Sequence, residues 1–296
     1  MNKYLEIILK SYSDYWNYIK QSILMELNWE NYFYGLIIIS LVVWGLEIIF
    51  PWRKNQPIFR KDFWLDTFYM FFIFFLVNLI VLIALSNTTS ALFNDLLSIL
   101  GLSISDLQLF DINTFPLVIR LFLFFIIIDF VQWYTHTLLH KYEFLWNFHK
   151  VHHSVKQMGF AAHLRDHWME PVVYKSIKYI PLAIIGGFTA QDVAIVHFFN
   201  IVVGHLNHAN LNWDYGFLKY ILNNPKMHIW HHAKQLPKER RKGVNFGITL
   251  SIWDYIFKTN YIPKDGRDIE IGFNGDQYFP KDFISQEMYP LGKSNK

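Results

Sequence analysis

The sequence predicts an all-α integral membrane protein, with about four transmembrane helices or helical hairpins that carry a cytosolic, histidine-rich helical cap. Three observations predict it. Hydrophobic residues fill 53% of the 296 positions and charged residues only 17%, against roughly 45–50% and about 25% in soluble domains. Several apolar runs approach the ~20 residues that cross a bilayer as a helix. All 13 histidines fall between His136 and His232, in short repeated spacings.

The N-terminus scatters Glu6, Asp14 and Lys20 among aromatics and lacks the layout of a cleaved signal peptide, so the first anchor is expected later. Tyr34 to Phe50 is the first apolar run. Thr67 to Leu85 is the second, and Phe115 to Tyr134 the third. The connection between the first two holds Arg53, Lys54, Arg60 and Lys61, whereas the stretch from Asn87 to Thr114 has no Lys or Arg. By the positive-inside rule the first connection is cytoplasmic and the second is not. The third run then returns the chain to the cytosol near His136, where the histidines begin.

From Pro171 to Gly204 the chain is apolar again, but Pro181, Gly186, Gly187 and the Gln191-Asp192 pair cut it in two. This reads as a helical hairpin that enters the bilayer and returns, because the histidines on either side must meet. A hairpin in a soluble core would show the same pattern. Beyond Ala233 the chain is polar, with an apolar island from Phe246 to Phe257 and a loop-like tail. The expected division is a membrane-anchoring region with two spans (1–114), a histidine-bearing domain (115–259) and a polar tail (260–296).

The chain has no cysteine, which excludes disulfides, Cys-ligated zinc and a thiol nucleophile. Its net charge of +3 is small and evenly spread, which argues against a nucleic-acid partner. Any metal must be held by His, Asp or Glu. His136 and His140, then His149, His152 and His153, then His205 and His208, then His228, His231 and His232 form the clusters. On a helix, positions i, i+3 and i+4 share a face, so each HxxHH triplet and the HxxxH pair should project imidazoles in one direction. Eight to ten imidazoles exceed what one ion can take, and two ions are the simplest solution. Ligand number does not choose between hydrolysis and oxygen chemistry. His163 and His197 read as hydrogen-bonded core or surface histidines and not as ligands.

Asp129 lies 7 residues before His136 and 11 before His140, on the same helical face. A carboxylate there either orients a metal-bound histidine or bonds a Ser, Trp or Asn of another helix.

These residues resemble the fatty acid hydroxylase superfamily. The motifs that carry the resemblance are Asp129, His136-x3-His140, Trp146-x-Phe-His149-x2-His152-His153-Ser154, His208-Ala-Asn210, Pro225-x2-His228-x2-His231-His232 and Asn245-Phe-Gly-x4-Ser-Ile-Trp253-Asp254. The likeness covers about residues 115 to 259. It implies a membrane-bound oxidoreductase that hydroxylates or desaturates a lipid with dioxygen, at a centre of two iron ions. The implied ligands are His136, His140, His149, His152, His153, His228, His231 and His232, with His208 and His205 completing the set. Arg165, in the Arg165-x-His167-x2-Glu170 stretch, and Asn210 are implied to support the ligands, as is Asp129. Trp253 and Asp254 are expected to be structural.

No GxGxxG is present for a nicotinamide or flavin, so the resemblance also implies an external electron donor: a cytochrome, ferredoxin or reductase. Two readings from other classes compete, a membrane binuclear zinc hydrolase and a histidine-rich metal transporter. The resemblance does not choose among sterol-like, fatty acyl and ether lipids as substrate.

Overall fold

A computed structural model describes residues 2–25, 31–72, 75–77 and 82–291. They are mostly helical. The first helix, α1 (Lys3–Leu24), is capped by Asn2, whose side chain accepts from Tyr4 N. The second, α2 (Tyr32–Ile49), is capped in the same way by Asn31. Only Gly35, Leu36, Ser40 and Val43 are buried on α2, and Ile38, Leu41 and Val42 are exposed. A helix that is apolar all round is either buried or in lipid. The short α3 (Phe63–Phe71) follows, then α4 (Ile83–Ile99), which packs along α1 and takes Lys3 and Tyr4 on Asp95.

The long α5 (Leu117–Lys141) runs on into α6 (Glu143–His153) after a single residue, Tyr142. Next come α7 (Met169–Ile184) and α8 (Ala190–His208), then α9 (Pro225–His231), α10 (Ile252–Ile256) and α11 (Phe283–Glu287). The described strands, β1 (Phe110–Asp111) and β2 (Ile185–Gly186), are a parallel pair that ties the segment before α5 to the α7–α8 turn.

Among the described residues, α2 and α5 are the two helices long and apolar enough to cross a membrane. They correspond to the first and third predicted runs. The second, Thr67 to Leu85, is entered by α3 and left by α4, and its middle lies partly outside the described residues. The predicted hairpin is present as α7 and α8, but its break differs from expectation. Pro181 stays inside the last turn of α7, and the chain turns at 185–189 instead. Gly187 has φ +91°, and a Cβ there would lie 2.4 Å from Asn113 N, so only glycine fits the turn. Asp192 does not interrupt the second piece but starts it. With Thr189 it forms a capping box, Thr189 N donating to its carboxylate at 2.9 Å, and it also accepts from Arg120 at 3.0 Å.

The predicted regions are welded together. Asp66 of α3 is buried between Arg60 at 2.5 Å and Arg165 at 2.9 Å, and Arg165 also donates to Gln286 of α11 at 3.3 Å. Breaking such a buried pair by removing one partner typically costs about 3–5 kcal/mol. The tail expected to be loop-like is packed: Ile271 joins Trp52 and Trp230 in one cluster, and Phe283 lies 4.5 Å from Phe72 and 4.9 Å from Tyr69, centroid to centroid. Its apolar residues are irregularly spaced, so no periodicity marks them as core.

Candidate metal centre

Helices α5, α6, α8 and α9 bring their histidine-bearing ends to one place. His136 and His140 sit one turn apart near the end of α5. The three histidines of the first triplet fill the last two turns of α6, and His208 ends α8. On the second triplet, α9 is started by Pro225 and capped by Asn224, whose side chain accepts from Met227 N, and His232 is its C-cap. Nine of the ten proposed ligands converge in two groups. His136, His140, His149, His153 and His231 form one, and His152, His208, His228 and His232 the other; within each group the ligand atoms all lie within 4.8 Å of one another.

The triplets are not single chelating faces, as expected from their spacing, but are shared between the groups. In α6 the i and i+4 residues, His149 and His153, enter the five-membered group and His152 the four-membered one. In α9 the assignment is reversed: His228 and His232 enter the four and His231 the five. At about 100° per residue, i+3 and i+4 point roughly 100° apart, so one triplet can straddle two ions.

The tautomers follow from the Nδ1 partners. A carbonyl only accepts, so His136 and His231 donate from Nδ1 to Phe246 O and Val244 O, each at 2.8 Å, and His208 donates to Gly204 O at 2.8 Å. His149 Nδ1 faces the Glu170 carboxylate at 2.8 Å. The three carbonyl-bound rings present a bare lone pair at Nε2. The Nε2 atoms of His136 and His149 are 3.0 Å apart, those of His153 and His231 3.1 Å, and those of His208 and His228 3.0 Å. In each pair the carbonyl-bound ring turns its lone pair toward a second imidazole nitrogen, so the donor atoms already lie close enough for one ion to be held by both. The donor set therefore fits two metal ions. Burial, and next to it the surrounding histidines, hold the pKa values of His149, His153, His231 and His232 well below that of a free imidazole, which keeps them neutral as metal ligands must be.

The other expected site residues lie elsewhere. His205 is buried but bonds His163 Nδ1 at 3.0 Å and Ser40 Oγ at 3.2 Å, outside both groups. His163 lies against His208, with ring centroids 5.2 Å apart, so the pair His163–His205 backs that ligand from outside the groups. His163 is a core residue as expected, and His197 stacks on Tyr32. His167 packs on Phe148 and accepts from Met169 N. Arg165 serves the Asp66 pair described above. Asn210 docks α2: its side-chain oxygen accepts from Arg53 N at 2.9 Å, and its own N–H donates to Glu47 at 2.7 Å.

Asp129 accepts from Trp253 Nε1 at 2.8 Å and Leu250 N at 3.4 Å. It therefore holds the strap that carries Phe246, while His136 is served by Phe246 O itself. Asp254 takes Phe246 N, Gly247 N and Trp133 Nε1, in keeping with its expected structural part. The residue that sequence reasoning missed is Glu170. Its signal was only its place in the Arg165-to-Glu170 stretch, and nothing in the spacing points from it to His149.

Residues 121–259 match the family model described as fatty acid hydroxylase. The chain is 28% identical to an ornithine lipid hydroxylase, OlsE, of Rhizobium tropici, over 62% of this chain and 54% of that protein. It is 31% identical to the alkylglycerol monooxygenase of Homo sapiens, over 46% of this chain and 29% of that protein. With the alkylglycerol monooxygenase of Danio rerio the identity is 33%, over 46% and 29%. The chain thus spans about half the length of the first relative and under a third of the other two. No solved structure matches it.

Proposed function

We propose, from the match of residues 121–259 to the fatty acid hydroxylase family model, that this protein is a membrane-bound lipid oxygenase with a di-iron centre. The observation that carries the proposal is the pair of buried histidine groups, with their ligand atoms converging and both triplets shared. His136, His140, His149, His153 and His231 would hold one iron, and His152, His208, His228 and His232 the other. Two irons there would supply reductive activation of dioxygen, the strong oxidant that an unactivated C–H bond requires. Hydroxylation consumes the lipid, one dioxygen, two electrons and two protons, and yields the alcohol and one water.

The chain's own part is positioning. The carbonyls of Phe246, Val244 and Gly204 hold three rings in the tautomer that frees Nε2, and the Glu170 carboxyl group orients the His149 ring. Trp146 packs on His140 and His153, with centroids 4.9 and 5.1 Å away. Helices α2 and α5 would anchor the domain with its histidine cap on the cytosolic side, following the Lys and Arg between 51 and 62. The substrate would come from the bilayer and the electrons from an external carrier.

Purified, iron-replete protein should contain two irons per chain, and lipids of cells lacking it should accumulate a species short of one oxygen or richer by two hydrogens. A single tightly held ion, or zinc that no reductant affects, would defeat the proposal.

A further inference from the structure

Eight of the nine converging histidines are buried; His140 alone is half-buried. What lies over it is Gly243, with φ +105°, where a Cβ would sit 2.9 Å from His140 Nδ1 and 2.8 Å from the Phe246 ring. The absence of a side chain lets the backbone of the segment between α9 and Val244 close onto a ligand. That segment is shaped, not trailing. Pro237 O accepts from Arg240 N at 2.9 Å, Arg240 O accepts from Gly243 N at 3.0 Å, and the Arg240 side chain donates to Asn260 O at 2.9 Å over the Tyr261 ring. It continues into Val244 and Phe246, whose carbonyls hold His231 and His136.

The same segment is basic. Lys238, Arg241 and Lys242 are exposed, and Glu239 is the acid among them. Lys141, next to His140, is exposed too. Exposed cations on the segment that closes onto His140, and on the residue next to it, make a surface that attracts and orients an acidic partner.

We propose that residues 238–242, together with Lys141, form the docking surface for an acidic protein that carries one electron at a time, and that His140 is where the electron enters the centre. This rests on the oxygenase reading. Each docking oxidises one reduced carrier, and two dockings supply the two electrons that each turnover consumes with two protons. Electron transfer slows steeply with distance, so a carrier held over His140 is better placed than one on a face where every ligand is buried. Anionic lipid headgroups would also accept such cations, but they would gain nothing from the proximity of a metal ligand.

The test uses the full iron-loaded chain in nanodiscs of neutral lipid, with an acidic [2Fe–2S] ferredoxin as the probe. The wild type should bind reduced ferredoxin at low salt and lose it as salt rises. Combined Lys238→Glu, Arg241→Glu and Lys242→Glu should weaken binding about 10–100-fold, with iron content and the rate of reduction by dithionite unchanged. If that variant does not fold, Arg241→Gln with Lys242→Gln should give a smaller loss in the same direction. Absence of ferredoxin binding by the wild type, or equal affinity in the variants, overturns the proposal. So does a result in which the substitutions abolish attachment to anionic vesicles but spare ferredoxin. Failure of the wild type to hold two irons would instead defeat the oxygenase reading, which the binding titration does not measure.

Discussion

The five-histidine group and the four-histidine group are built from the same two triplets, yet their rings are held differently. In the five, His136 and His231 are tied to backbone carbonyls and His149 to a buried carboxylate, all at 2.8 Å. In the four, only His208 has such a tie, to Gly204 O. His228 Nδ1 has the Asn223 amide at 3.3 Å, His152 Nδ1 has Asp166 at 3.4 Å, and that carboxylate is 27% exposed. An anchored Nδ1–H fixes tautomer and orientation before any ion binds. The group with more ligands and firmer rings should hold its ion more tightly, and the four-histidine group has more room for a ligand from outside.

The largest effect should come from cutting each group by one ligand. His228→Ala leaves three imidazoles and should empty that group, lowering iron from two ions per chain to one after dialysis against a chelator. His231→Ala leaves four and should keep more of its iron under the same dialysis. Equal losses would mean that ligand number and anchoring do not separate the groups.

The next comparison is between carboxylates. Glu170→Gln keeps the shape but puts an amide in place of the carboxyl group that orients His149, and should weaken the ion in the five-histidine group about 10–100-fold. Asp166→Asn, at a longer and partly exposed contact, should cost less than about tenfold in the other group. Metal competition with a graded chelator reads both, and a reversed order would sink the distinction.

The smallest effect on the metal should come from Asp129→Asn. Its carboxylate serves Trp253 and Leu250, so the fold should lose about 1–3 kcal/mol while iron content and turnover per iron stay at wild-type level. A fall in turnover per iron would return Asp129 to the service of His136.

Asp129 shows where reading the sequence succeeds and stops. Its spacing puts it on the face of α5 that carries His136, and it is buried there, but periodicity only says which way a side chain points. Its partner is Trp253, 124 residues later. Arg165 and Asn210 follow the same pattern. Both lie in the stretches that resemble the family and both are buried, but their partners are Asp66 and the end of α2. The second predicted run shows a different limit, since part of it lies outside the described residues.

The sequence by itself determined that eight to ten imidazoles should gather, because HxxxH and HxxHH place them on helical faces and no other chelating residue type is clustered in that way. It also determined the two apolar helices α2 and α5, since length and hydropathy are local properties. The tertiary structure alone decided the split of each triplet between two groups, the exclusion of His205 and the pairing of His149 with Glu170. These depend on how α5, α6, α8 and α9 cross, and crossing is set by contacts between residues far apart in the chain, which local spacing does not record.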